Sequence, residues 1–223
     1  MSEANLLPAV ILGADKPEYS IIWLHGLGAD GHDFEPIAAD LDFPAKSRTR
    51  FIFPHAPSQA VTVNAGHVMP AWYDIFAISE DAHEDDAGIR KTEKKIAALI
   101  EQEIKSGVAA NNIVLAGFSQ GGAMALHTAL RFPQSLAGIL ALSTYLPLNA
   151  SLAAERSVEN QDIPIMMMHG DYDPVVPIKL AQISKQVLFE LGWSVQWQTY
   201  PMEHSVCPDQ IDDISKWFAT VLA

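Results

Sequence analysis

Residues 112–122 read Asn-Ile-Val-Leu-Ala-Gly-Phe-Ser-Gln-Gly-Gly, which sets Ser119 between Gly117 and Gly121 directly after an apolar run. That spacing limits sharply what the chain can become. A serine on an abrupt turn from strand to helix has a strained backbone, and its neighbours two positions away crowd one another unless they are glycines. The strain has a chemical use. A hydroxyl is a poor nucleophile until a base takes its proton, and such a turn holds Oγ out of the strand line, toward a base and a bound substrate. With 13 glycines in 223 residues, a shuffled chain shows the Gly-x-Ser-x-Gly pattern about 0.05 times. The competing reading is a glycine-rich turn where a helix packs closely on a strand. The flanks favour the elbow: Ile113, Val114 and Leu115 form a buried-strand run, and Ala123, Met124, Ala125, Leu126, Ala129 and Leu130 suit a helix laid on a sheet.

Strand and helix patterns alternate along the chain. Strands are predicted near residues 20–24, 50–53, 112–117, 137–142, 164–169 and 194–200, with an early strand in the apolar run from Leu6 to Leu12. Helical periodicity falls near 33–41, 87–105, 120–131, 178–191 and 208–222. Such alternation predicts an α/β fold with a mainly parallel central sheet and helices on both faces. The runs from Ile139 to Leu142 and from Ile165 to Met168 are continuous, as expected of strands buried on both faces, so the three methionines read as core. No repeat, low-complexity segment or linker composition interrupts the 223 residues, and one domain over 1–223 is expected.

Composition excludes several classes of partner. A net charge of −13 opposes nucleic acid and anionic membranes, which are held by clustered Lys and Arg. One cysteine, Cys207, excludes an intramolecular disulfide framework and a multi-cysteine zinc site, and it reads as an inert thiol. No run approaches the roughly 18 apolar residues of a membrane span. Glu3 stands where a signal peptide is basic, and Met1-Ser2-Glu3 lacks the glycine that myristoylation needs. A cytoplasmic protein without stable membrane insertion is expected. The acidic run from Ser79 to Asp86 reads as a solvated helix start, with a cation site as the alternative.

Ligands of such sheets bind beyond the carboxyl ends of the strands, which filters the partners of Ser119. Histidines occupy positions 25, 32, 55, 67, 83, 127, 169 and 204. In chains built on this elbow the order is serine, acid, histidine; His169 precedes its nearest acids, and His204 remains, just beyond the run from Val195 to Tyr200. For the acid, Asp162 precedes its strand, whereas Asp171 and Asp173 follow it. Asp173 opens Asp-Pro-Val-Val-Pro, a rigid lead into a helix, and is preferred to Asp171, which has the character of a turn former. The loop from Leu24 to His32 holds three glycines, and the amide of Leu27 is expected to join that of Gln120 as an oxyanion hole. A phosphate loop is disfavoured there because Lys and Ser or Thr do not end the glycine run. A metal site of His25, Asp30, His32 and Asp33 is possible in residue type, but a turn and a helix cap explain both aspartates.

Taken together, Leu24–Gly31, Met69–Ile75, Gly117–Gly122, Gly170–Pro177 and Met202–His204 resemble the carboxylesterase and acyl-protein thioesterase family of α/β-hydrolases, block by block over essentially the whole chain. The resemblance implies Ser119 as nucleophile, Asp173 rather than Asp171 as the orienting acid, His204 as base, and the Leu27 and Gln120 amides as oxyanion donors. It implies hydrolysis of a small-molecule ester or an acyl thioester, with an acylated protein as a further substrate, and neither metal nor organic cofactor. It also implies that Val63–Ile78 is a flexible loop beside an apolar acyl groove, in place of a large lid domain. Trp72, Tyr73 and Phe76 read as core on residue type alone; the resemblance makes them substrate-binding. Glu203 departs from the glycine common in the family at that position, either shifting the pH optimum of its neighbour His204 or pointing into solvent. Lysophospholipase activity and a catalytically silent ligand-binding protein are the alternatives, and a monomer or a homodimer suits the expected apolar rim.

Overall fold

The computed structural model describes residues 6–79 and 82–223. Expectations placed on Met1, Ser2, Glu3, Glu80 and Asp81 lie outside the described residues. Seven strands form the main sheet: β1 (Ala9–Gly13), β2 (Tyr19–Leu24), β3 (Thr49–Pro54), β6 (Ile113–Phe118), β7 (Gly138–Leu142), β8 (Ile165–Gly170) and β9 (Val195–Tyr200), in the order β1-β3-β2-β6-β7-β8-β9. All neighbours run parallel except β1 against β3. A two-stranded hairpin, β4 (Ser58–Val61) with β5 (His67–Pro70), stands apart.

The residue pattern explains why helices cover both faces. Along β2 every residue is buried, with Ile22 and Leu24 in one core and Ile21 and Trp23 in the other. On the first face lie α2 (Asp86–Lys105), α3 (Gln120–Ala129), α4 (Asn149–Glu155) and α5 (Ile178–Glu190); on the second lie α1 (Ile37–Asp40) and α6 (Pro208–Val221), whose Ile214, Trp217 and Phe218 fill the core. Two continuous apolar layers follow from the period-two alternation of strand side chains. Met167 and Met168 are buried within them.

Sheet and helix positions agree with the sequence-based expectations, with three differences. The helix expected over 33–41 is only four residues, Ile37–Asp40, because a turn through Asp30 and Asp33 and the ring of Pro36 occupy the preceding positions. Val63–Ile78 is not a plain loop: it contains β5 and an isolated bridge from Ile75 to Glu84. β4 and β5 are short and mostly solvent-facing, so they carry little apolar periodicity. Helix α4 likewise carries little apolar periodicity, being seven residues entered through Leu148 at φ 48°. In the acidic run, Asp85 caps α2 by accepting the Gly88 amide. Among the described residues no helix is long and apolar enough to cross a membrane.

Helix α3 is buried at every position, and its His127 faces Glu93 of α2 at 3.1 Å. Burial holds the His127 ring below its ordinary value of 6.5 and outweighs the opposing hydrogen bond that the ring makes to the Glu93 carboxylate. The unfolded chain therefore binds a proton that the folded protein refuses, so this contribution to stability is intact above pH 6.5 and is lost as the pH falls toward the folded value. Compared with a His127→Gln variant, the native protein is expected to lose melting temperature more steeply between about pH 7.5 and about pH 5.5, as read by circular dichroism.

Candidate active site

Ser119 sits between β6 and α3 with φ 54° and ψ −123°, a conformation that costs a non-glycine residue of order 1–3 kcal/mol. Its neighbours show why the glycines are there. A Cβ on Gly117 would lie 2.4 Å from the backbone of Gly121, and one on Gly121 would lie 2.2 Å from the carbonyl of Leu24. Helix α3 thus descends directly onto the end of β2. The glycine loop after β2 rests against the serine in turn, since a Cβ on Gly26 would lie 3.5 Å from the Ser119 Cβ. Sheet order reverses between β2 and β6, so both pieces of chain open into the crevice at the switch point.

The Asp173 and His204 loops leave the carboxyl ends of β8 and β9, on the same edge. They are sutured together: the Asp171 amide donates to the Tyr200 carbonyl at 2.8 Å and the Tyr172 amide to the Met202 carbonyl at 3.1 Å. Gly170 has no room for a side chain, because a Cβ there would lie 2.3 Å from the Glu203 carbonyl. Asp173 Oδ1 accepts the amides of Val175 and Val176, both at 2.8 Å, and Oδ2 accepts His204 Nδ1 at 2.6 Å. Burial alone pushes this carboxyl up; the hydrogen bonds from His204 and the Val176 amide more than offset it and hold Asp173 below the usual 3.8. Asp173 is ionised at neutral pH, so His204 carries its proton on Nδ1 and presents Nε2 as an acceptor. The His204 ring lies 4.6 Å from that of Phe118, the residue before the elbow. Asp171 and Glu203 are exposed, and the latter points into solvent.

A second histidine, near the end of β8, supports this loop. His169 is buried with Nε2 2.8 Å from the Val176 carbonyl and 3.4 Å from Asp173 Oδ2. Burial keeps its pKa below the ordinary value, so it steadies the loop as a neutral ring.

The segment before Phe76 lies behind the crevice. Trp72 is only 1% exposed, and its indole N–H donates to the His25 carbonyl at 2.8 Å. Its amide donates to Gln120 Oε1 at 2.8 Å, and Gln120 Nε2 donates to the Tyr73 carbonyl at 2.7 Å. The Gln120 side chain therefore clamps this segment, while its amide lies at the elbow. Tyr73 is buried with its hydroxyl 2.9 Å from that of Tyr145, and Tyr145 lines a cavity of about 140 Å³ with Ile78, Leu146, Leu180 and Ile183. Phe76 is 39% exposed and stacks on His83. Around Leu27, Asp30 makes the expected turn by accepting the His32 amide at 2.8 Å, and His32 pairs with Glu35 at 2.7 Å, but the expected cap is not formed, since α1 starts after Pro36 with no side chain capping it. Neither His169 nor the clamping side chain of Gln120 is marked by a motif: His169 holds a carbonyl seven residues on, across a turn, and Gln120 acts on backbone groups nearly fifty residues away.

Comparison with known proteins agrees with this architecture. The family described as phospholipase/carboxylesterase matches residues 5–222. Acyl-protein thioesterase 1 of Neurospora crassa is 42% identical over 224 residues, covering 96% of this chain and 91% of its own. Its namesake in Gibberella zeae is 39% identical over 223 residues, covering 96% and 95%. Among solved structures, Arabidopsis thaliana SOBER1 superposes with a TM-score of 0.88 at 31% identity, over 92% of this chain and 99% of that one. Acyl-protein thioesterase 2 of Zea mays gives 0.87 at 29%, over 97% and 99%. With its parallel sheet, its elbow between β6 and α3 and its match over nearly the whole length, the chain belongs to the phospholipase/carboxylesterase family of α/β-hydrolases and is a hydrolase of carboxylic esters.

Proposed function

We propose that this protein is a serine hydrolase that cleaves acyl thioesters and esters, acyl groups on proteins among them, with Ser119 as nucleophile, His204 as base and Asp173 as the acid that orients it. The observation that carries the reading is the 2.6 Å contact between His204 Nδ1 and a buried, ionised Asp173, on the sheet edge where Ser119 stands strained. His204 Nε2 takes the Ser119 proton as Oγ attacks the acyl carbon. The Leu27 and Gln120 amides hold the resulting oxyanion, and as it collapses His204 protonates the departing thiolate or alkoxide. Water activated by the same ring then frees the acid and restores Ser119.

A thioester substrate is supported by the names of the relatives, which share about two-fifths of their residues with this chain over nearly its full length. For the acyl chain, the cavity beside Tyr145 is the candidate recess: Ile78, Leu146, Leu180 and Ile183 supply apolar wall, Glu84, Asn149 and Ser184 add polar groups, and it adjoins α5, which starts directly after the Asp173 loop. Tyr73 would act on that chain only by holding Tyr145, a lining residue, through their hydroxyl pair, exposed Phe76 lies next in sequence to the lining residue Ala77, and Trp72 lies in the core behind. The chemistry assigned to these residues needs neither metal nor organic cofactor.

Three outcomes test this. Ser119→Ala is expected to lower turnover of an activated thioester by about 10⁴-fold or more while the melting temperature is kept. Asp173→Asn should lower kcat by up to roughly 10⁴-fold, because the amide favours the wrong imidazole tautomer. A fluorophosphonate should label Ser119, located by peptide mass mapping, and no label should appear in Ser119→Ala. Native turnover in Ser119→Ala would remove the nucleophile assignment. Acyl thioesters, acyl esters and lysophospholipids of stepped chain length, compared by kcat/KM, would rank the leaving groups.

A further inference from the structure

An oxyanion hole made of two main-chain amides works only if two peptide planes, far apart in sequence, aim at one oxygen. A peptide unit is planar, so whatever grips its carbonyl also fixes the direction of its N–H. The amide of Leu27 belongs to the peptide whose carbonyl is Gly26, and the amide of Gln120 to the one whose carbonyl is Ser119. Each carbonyl is held from behind by a buried side chain. His25 Nε2 accepts the Ala56 amide at 3.1 Å, which puts the ring proton on Nδ1, and Nδ1 donates to the Gly26 carbonyl at 2.7 Å. Thr144 Oγ1 donates to the Ser119 carbonyl at 2.6 Å. Both side chains are about 1% exposed. On the other side of Leu27, the Gly28 amide donates to the Pro70 carbonyl at 2.9 Å, so both peptides around Leu27 are pinned.

We propose that Thr144 and His25 are positioning residues for the reaction, which hold and polarise from behind the two peptide units whose amides receive the oxyanion. The proposal rests on the reading of Leu27 and Gln120 given above. Neither side chain touches substrate. A hydrogen bond accepted by a carbonyl strengthens the N–H of the same peptide as a donor, and the effect is larger in a water-poor interior. The Ser119 carbonyl already receives the Ala123 amide at 3.1 Å, as the first carbonyl of α3. The helix therefore does not need Thr144 for its own closure, and the added donor acts on the orientation of the Gln120 amide. Burial also lowers the His25 pKa below the ordinary 6.5, which keeps the ring in the neutral form that both of its bonds require.

Thr144→Val removes the hydroxyl and preserves the shape, and Thr144→Ser restores the hydroxyl. Removing a whole oxyanion donor costs about 10²–10³-fold in kcat, so loosening one should lower kcat in Thr144→Val by about tenfold with KM nearly unchanged. The affinity of an acyl trifluoromethyl ketone, which forms an oxyanion on Ser119, should weaken by the same factor, and Thr144→Ser should recover both. Thr144→Ala serves as a second variant should the valine disturb folding, judged by its melting curve. A folded Thr144→Val or Thr144→Ala within about twofold of native in kcat and ketone affinity would overturn the proposal. So would a fall in kcat that leaves ketone affinity untouched or that serine does not restore. Fluorophosphonate labelling of native Ser119 separates the two levels: without a label the reading of the site fails, and with a label but unchanged kinetics only the positioning role does.

Discussion

At Ser119 the chain passes from β6 into α3 within one residue, and the rest of the molecule is arranged around that turn. The left-handed φ of 54° is held because α3 has nowhere else to go: every one of its residues is buried, and its first turn touches the backbone of β2. Strain of this kind persists only where the surroundings over-determine it. Here the central strands, the glycines at 117 and 121 and the helix on top provide that. The closeness that requires glycine at 121 also brings the loop after β2 against the serine, so one packing constraint delivers both Ser119 and the neighbouring main-chain amides.

Around the elbow, polar groups are buried but satisfied. Asp173 loses most of its water and replaces it with two main-chain amides and the His204 ring. A buried carboxylate is tolerated when hydrogen bonds take the place of solvent. Its neighbour Asp171 stays in water two residues away. What separates the two aspartates is their loop: Pro174 and Pro177 fix the turn that aims the Val175 and Val176 amides at Asp173. His169 completes the support by holding the Val176 carbonyl.

The segment between β3 and α2 bridges core and crevice. Its hairpin is largely exposed, whereas Trp72 and Tyr73 are locked in by Gln120, His25 and Tyr145. The aromatic residues that the resemblance made substrate-binding thus divide: Trp72 lies in the core, Tyr73 reaches the cavity through Tyr145, and Phe76 alone meets solvent. An aromatic side chain gives the same apolar signal in all three settings, and only its polar tip and its neighbours tell them apart.

Much of the architecture was legible in the chain because it rests on local regularities. Apolar runs at β6, β7 and β8 mark strands buried on both faces, glycines around Ser119 mark the elbow, and the order of Ser119, Asp173 and His204 along parallel strands puts all three at one sheet edge. Features with little apolar periodicity, such as the β4–β5 hairpin, α4 and the short α1, escaped, since their boundaries follow from turns and neighbouring loops. By itself the sequence determined the sheet and the elbow, which depend on residue type and spacing within each segment, and it proposed the candidate triad from the order of such segments. Tertiary structure alone decided which nitrogen of His25 carries the proton, that Thr144 grips the Ser119 carbonyl and that Gln120 clamps Trp72. Each of these is a hydrogen bond between segments that meet only after the sheet has formed, and a hydrogen bond depends on distance and angle that no local pattern records.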